Sequence, residues 1–117
     1  MENTIQDLYL KLIERTKFNN FDGPKVAEDL KNNKELWDSV LMINDDLGIL
    51  LRDLSKNYNN ADTLLVLTTK ERLPKLLNLC FSWRPDNVAI VDGEQLSCFL
   101  GSWMENDQRT LVILWWD

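Results

Sequence analysis

The side chains able to do chemistry in this sequence are almost all carboxylates. No histidine occurs among the 117 residues. The commonest proton shuttle near neutral pH is therefore missing, and with it the Ser–His and Cys–His nucleophile pairs and most histidine-ligated metal sites. Catalysis would have to rest on carboxylates, a lysine, or a magnesium ion held by acids. The densest acidic group is Asp45 and Asp46, with Asp53 further along the same segment. Adjacent residues on a helix point different ways, so capping the positive N-terminal end of a helix is the simpler use of this pair. Asp92 and Glu94 flank Gly93. Asp-Gly suits a tight hairpin turn, and the strand lysine that a nuclease-type metal site would ask for is absent, since Gln95 and Leu96 follow. Asp22-Gly23-Pro24 reads as a turn, without the run of glycines that cradles a phosphate.

Cys80 and Cys98 stand apart, in apolar surroundings. Both read as buried free thiols packed in the core. Two cysteines without histidine cannot complete a tetrahedral zinc site from its usual ligands. No catalytic residue, metal ligand or cofactor is assigned from the sequence.

Five tryptophans are the unusual feature of the composition. Trp37 falls on an amphipathic pattern and reads as core, and Trp83 ends a helical segment. Trp103 closes an expected strand. Trp115 and Trp116 are neighbours on another, where successive side chains face opposite sides of a sheet. Unless helices cover both faces, one of that pair is at least partly exposed. Tryptophan is enriched at binding hot spots, so Trp103, Trp115 and Trp116 are the candidate partner-binding residues. A terminal apolar strand can also be a sheet edge that invites self-association.

Positioning these groups requires the elements. Thr4 and Asp7 form a capping box before Ile5, Leu8, Tyr9, Leu12 and Ile13, which recur at helical spacing. A turn at residues 19–24 precedes a short second helix with Val26, Ala27 and Leu30 inward and Pro24 in its first turn. A third helix is expected to present Leu36, Trp37, Val40 and Leu41. Asp45 or Asp46 caps a fourth, with Leu47, Leu50, Leu51 and Leu54. The helical part thus spans about 4–58.

From 62 the pattern changes. Thr63–Thr69 is a nearly continuous apolar run, as in a strand covered on both faces. Leu73, Leu76, Leu77 and Cys80 return to helical spacing. Asn87–Val91 reads as a strand, Gln95–Trp103 as its hairpin return, and Arg109–Trp116 as a last strand. The expectation is an α+β fold: one domain over 1–117, its N-terminal helices packed on a mixed four-stranded sheet of β-α-β-β-β order, with the crossover between the first two strands parallel.

Thirteen basic against nineteen acidic residues leave a net charge of −6. The charge is spread evenly along the chain. It speaks against nucleic acid and anionic membrane as partners, because phosphate binding shows as a basic patch. The expected third helix also lacks the basic face of a DNA-reading helix. No apolar stretch approaches a membrane span, the N-terminus has no signal-peptide pattern, and the cytoplasm is the expected compartment. These features favour a small acidic protein that binds another protein or itself without catalysis. One version is an inhibitor or immunity-type partner of a basic protein. The alternative is a small carboxylate- or magnesium-dependent enzyme using Asp45, Asp46, Asp92 and Glu94.

Overall fold

The computed structural model describes residues 4–102 and 104–117. Its first helix, α1 (Ile5–Glu14), starts at the expected box: the Thr4 hydroxyl accepts from the Asp7 N–H at 3.0 Å, and the Asp7 carboxylate accepts from the Thr4 N–H at 3.2 Å. Two short strands, β1 (Lys17–Phe18) and β2 (Phe21–Asp22), pair across a turn in which Asn19 takes a positive φ of 49°. Asp22 then caps α2 (Gly23–Asn32), with Pro24 in the first turn. The start of α2 lies against the end of α1. A Cβ on Gly23 would stand 2.4 Å from the carbonyl oxygens of Ile13 and Thr16, so only glycine fits there.

The chain continues through β3 (Ser39–Ile43), α3 (Leu47–Leu54), β4 (Thr63–Thr69), α4 (Leu73–Phe81), β5 (Asn87–Val91), α5 (Ser97–Leu100) and β6 (Arg109–Trp115). The fold is α+β, with helices on a four-stranded sheet of order β3-β4-β6-β5. Every neighbouring pair is antiparallel. β4 and β5 do run parallel, as a helical crossover demands, but β6 fills the gap between them. The sheet is therefore not mixed in its hydrogen bonding. A crossover of this length can skip one strand position, and the last strand returns into the vacancy.

Alternation along the strands sends Val40, Met42, Leu64, Val66, Val112 and Leu114 to one face. All six are buried, in one cluster with Leu10 and Ile13 of α1, Val26, Ala27 and Leu30 of α2, and Leu76 and Cys80 of α4. Helices and sheet thus share a single core drawn from both parts of the chain.

Two segments differ from expectation. Residues 39–43 form an edge strand rather than part of a third helix, after a single 3-10 turn at Lys34–Leu36. Val40-Leu41-Met42-Ile43 is a continuous apolar run that serves helix and strand equally well, and pairing with β4 decides it. Residues 95–103, expected as a hairpin return, instead supply a 3-10 turn (Gly93–Leu96) and α5. Gly101, at φ 75°, ends α5 with its N–H donating to the Ser97 carbonyl at 3.0 Å. That glycine is a helix stop of the usual left-handed kind. It outweighs the alternation of Leu96, Cys98 and Leu100.

Gly23→Ala should lower unfolding free energy by about 1–3 kcal/mol, because the methyl must push two backbone segments apart. Denaturant titration reads the shift. A change within a few tenths of a kcal/mol would show that α1 and α2 do not need this approach.

Candidate protein-binding surface

The structure sorts the expected contact residues. Trp116 is fully buried, packed edge-to-face on Phe21 with ring centroids 4.7 Å apart, and its indole N–H donates to the Trp83 carbonyl at 3.3 Å. It has no surface to offer a partner, so its place among the contact residues is corrected: it belongs to the core. Helices cover that face of the sheet. Trp115 lies on the opposite face, is 38% exposed, and donates to an Asp62 carboxylate oxygen at 3.3 Å. Trp103 lies outside the described residues. Trp37 and Trp83 are buried, donating to the Leu30 carbonyl and the Asp29 carboxylate, each at 2.9 Å. A chain of contacts therefore runs from Trp116 through Trp83 to Asp29, which also pairs with Lys25 at 3.2 Å.

The candidate acids are spent locally. Asp46 caps α3, its side chain accepting from the Ile49 N–H at 3.2 Å. Asp53 is bound by Arg52 through two bonds of 2.8 and 3.0 Å and by Asn60 at 2.9 Å. These hydrogen bonds, Arg52's first, hold its carboxyl at about 2, below the ordinary 3.8. Asp107, with a buried side chain, takes a bidentate grip from Arg109 at 2.6 and 2.9 Å and is held well below the usual carboxylate range. Asp45, Asp92 and Glu94 are exposed. Among the described residues, no group of three acids or thiols is placed to hold a metal ion.

Cys80 is buried, and burial pushes its thiol up to about 12. Cys98 is exposed on α5, which corrects the expectation that both thiols pack inside. The reversal follows from residues 97–100 being helical.

The structure also exposes apolar surface. Of the α1 residues that recur at helical spacing, Ile13 packs in the core, but Ile5, Leu8, Tyr9 and Leu12 point outward, with Ile5 74% and Leu8 53% exposed. Leu10 joins Ile13 on the core side. α1 is apolar on two sides, and helical spacing alone does not say which side is covered. α3 behaves the same way, leaving Leu47 and Leu51 at 70% and 72% exposure. Leu41, Leu65, Leu67, Ile113 and Trp115 share the outer sheet face and are buried only in part.

The α1 stripe and the outer sheet face meet in an open groove of about 290 Å³. Its floor is Leu41, Leu65, Leu67 and Leu111. Ile5 and Tyr9 of α1 form one wall, and Phe99 and Leu100 of α5 the other. Gln6 holds α1 to the sheet edge: its carboxamide donates to the Val40 carbonyl at 2.8 Å and accepts from the Val40 N–H at 2.9 Å. The sequence reading missed these groove residues. The only signal was that Leu65 and Leu67 belong to a run apolar on both faces. No family model, curated protein or solved structure matches the chain.

Two measurements test this assignment of side chains. A thiol reagent should modify Cys98 at once in the native protein and Cys80 only on unfolding. Rapid labelling of both would contradict the packing of α4. Because the Asp53 carboxyl is lowered on folding, its contribution to stability is complete above 3.8 and is lost as pH falls through about 2. Asp53→Asn should therefore lower the unfolding midpoint at neutral pH, and the gap to the unaltered protein should close across that window. A gap independent of pH would detach Asp53 from its ion pair.

Proposed function

We propose that this chain is a non-catalytic protein-binding module, the acidic partner of a basic protein, and that it docks through the groove and the outer stripe of α1. The observation that supports this reading is an imbalance between interior and surface. Among the described residues, every buried side-chain nitrogen and oxygen has a hydrogen-bond partner, so the interior is chemically complete. Yet two helices turn leucine stripes to solvent and one sheet face is only half covered. Contiguous exposed apolar surface on a small chain marks an interaction site, because covering it releases water at roughly 25 cal/mol per Å². Aromatic residues at the rim, Tyr9 and Phe99, are of the kind that anchors such contacts.

The partner's chemistry follows from charge. A net charge of −6 favours encounter with a basic surface and opposes association of two copies. Inhibition by shielding is the simplest activity for a protein of this kind. It needs only an apolar seat and a surface of opposite sign.

Photo-crosslinking in the cells that make the protein tests the reading. A benzophenone side chain in place of Tyr9 or Phe99 should trap the same protein adduct, and one in place of Glu28 on the polar side of α2 should trap none. Leu8→Asp should reduce the adduct from both groove positions while leaving the fold intact. Adducts from Glu28 alone, or none from any position, would remove the proposal.

A further inference from the structure

The four-stranded sheet has two edges, β3 and β5, and they are treated differently. The Trp116 N–H donates to the Asp62 carbonyl at 3.0 Å. By alternation, residues 110, 112, 114 and 116 turn their backbone groups to β4, and Leu111, Ile113 and Trp115 turn theirs to β5. Those three face Val91, Ala89 and Asn87. Val88 and Ile90 therefore send their N–H and C=O groups outward. The same counting sends those of Val40 and Met42 outward on β3; the Gln6 carboxamide occupies both of Val40's, and among the described residues no group occupies Met42's. On β5, among the described residues, no group occupies those of Val88 and Ile90.

Nothing in the strand itself discourages pairing. Asn-Val-Ala-Ile-Val carries no charge and no proline, the usual protections of an exposed edge. The residues from Asp86 to Glu94 that make up and flank the strand carry only acidic charge, with Arg84 two residues before them. Between Arg84 and Arg109 there is no lysine or arginine. Asp86 precedes the strand, Asp92 follows it, and Glu94 lies in the next turn, all three exposed.

Resting on the reading of the chain as a protein-binding module, we infer that β5 accepts an extended segment of the partner as a fifth, antiparallel strand, the segment bearing lysine or arginine at both ends. Backbone hydrogen bonds to Val88 and Ile90 supply the pairing, and Asp86, Asp92 and Glu94 select the charge. A second copy of β5 is a poor occupant. Full antiparallel pairing centred on Ala89 sets Asp86 of each copy opposite Asp92 of the other, and like charges directly opposed are destabilising.

The test uses a ten-residue peptide of alternating valine and threonine with two lysines at each end, followed by amide NMR of the whole chain. Saturable shifts at residues 87–92 are expected. The same peptide with glutamates at its ends should bind at least about tenfold more weakly. Ile90→Pro removes an outward N–H without touching the ladder to β6, a position where an edge strand tolerates proline, and should abolish the shifts. Asp92→Lys with Glu94→Lys should invert the preference between the two peptides without altering the backbone edge. Absence of shifts at β5, equal affinity for both peptides, shifts confined to the groove, or a dimer formed through β5 would each overturn the inference. Groove crosslinks from Tyr9 and Phe99 that persist alongside a silent β5 would sink this site alone and leave the module reading standing.

Discussion

Strands β4 and β6 run antiparallel over seven residue pairs, from Thr63 opposite Trp115 to Thr69 opposite Arg109. The inner halves of that pairing, Leu64, Val66, Val112 and Leu114, have no exposed surface. β3 adds to one side and β5 to the other, and α1, α2 and α4 close over the inner face. The pairing joins residues near the middle of the chain to its last few, so its loop-closure cost falls early and its return depends on everything docked later. The C-terminal Trp116 extends the same strand line into the core. It binds Trp83 and Phe21, which tie in the crossover and the small hairpin. Removing that indole would take away both an aromatic contact and the end of the central ladder.

Legibility in the sequence followed how many physical signals agreed. The α1 capping box, the Asp46 cap, the Pro24 helix start and strands β4, β5 and β6 were readable because turn chemistry, spacing and residue type pointed the same way. Residues 39–43 were not, because an apolar run of that length has no period of its own, and its partner strand lies some twenty residues on. Residues 95–100 misled through alternation. Gly101 carries the opposing signal, a helix stop set among residues whose alternation suggests a strand.

The candidate surface was less legible than the fold. Tryptophan count drew attention to Trp115 and Trp116, yet in the folded chain the four described indoles each find an acceptor and three of them are interior. Indoles are large and carry one donor, which makes them good core members wherever a carbonyl or carboxylate is in reach. The surface left open comes instead from leucines and from Tyr9 and Phe99. Spacing identified the helical stripes, but a stripe says only that one side of a helix is apolar. Which side finds cover is settled by tertiary packing, and in α1 Leu10 and Ile13 are covered while Gln6 ties the helix to β3.

That carboxamide has a bearing on stoichiometry. A sheet receptive on both sides can hand its pattern from molecule to molecule without end, the geometry of a fibre. Here the Val40 position of one edge is already satisfied from within the same chain by an amide that imitates a peptide group. An assembly that grows strand by strand across the sheet must displace that amide before it can add to β3, which hinders open-ended growth.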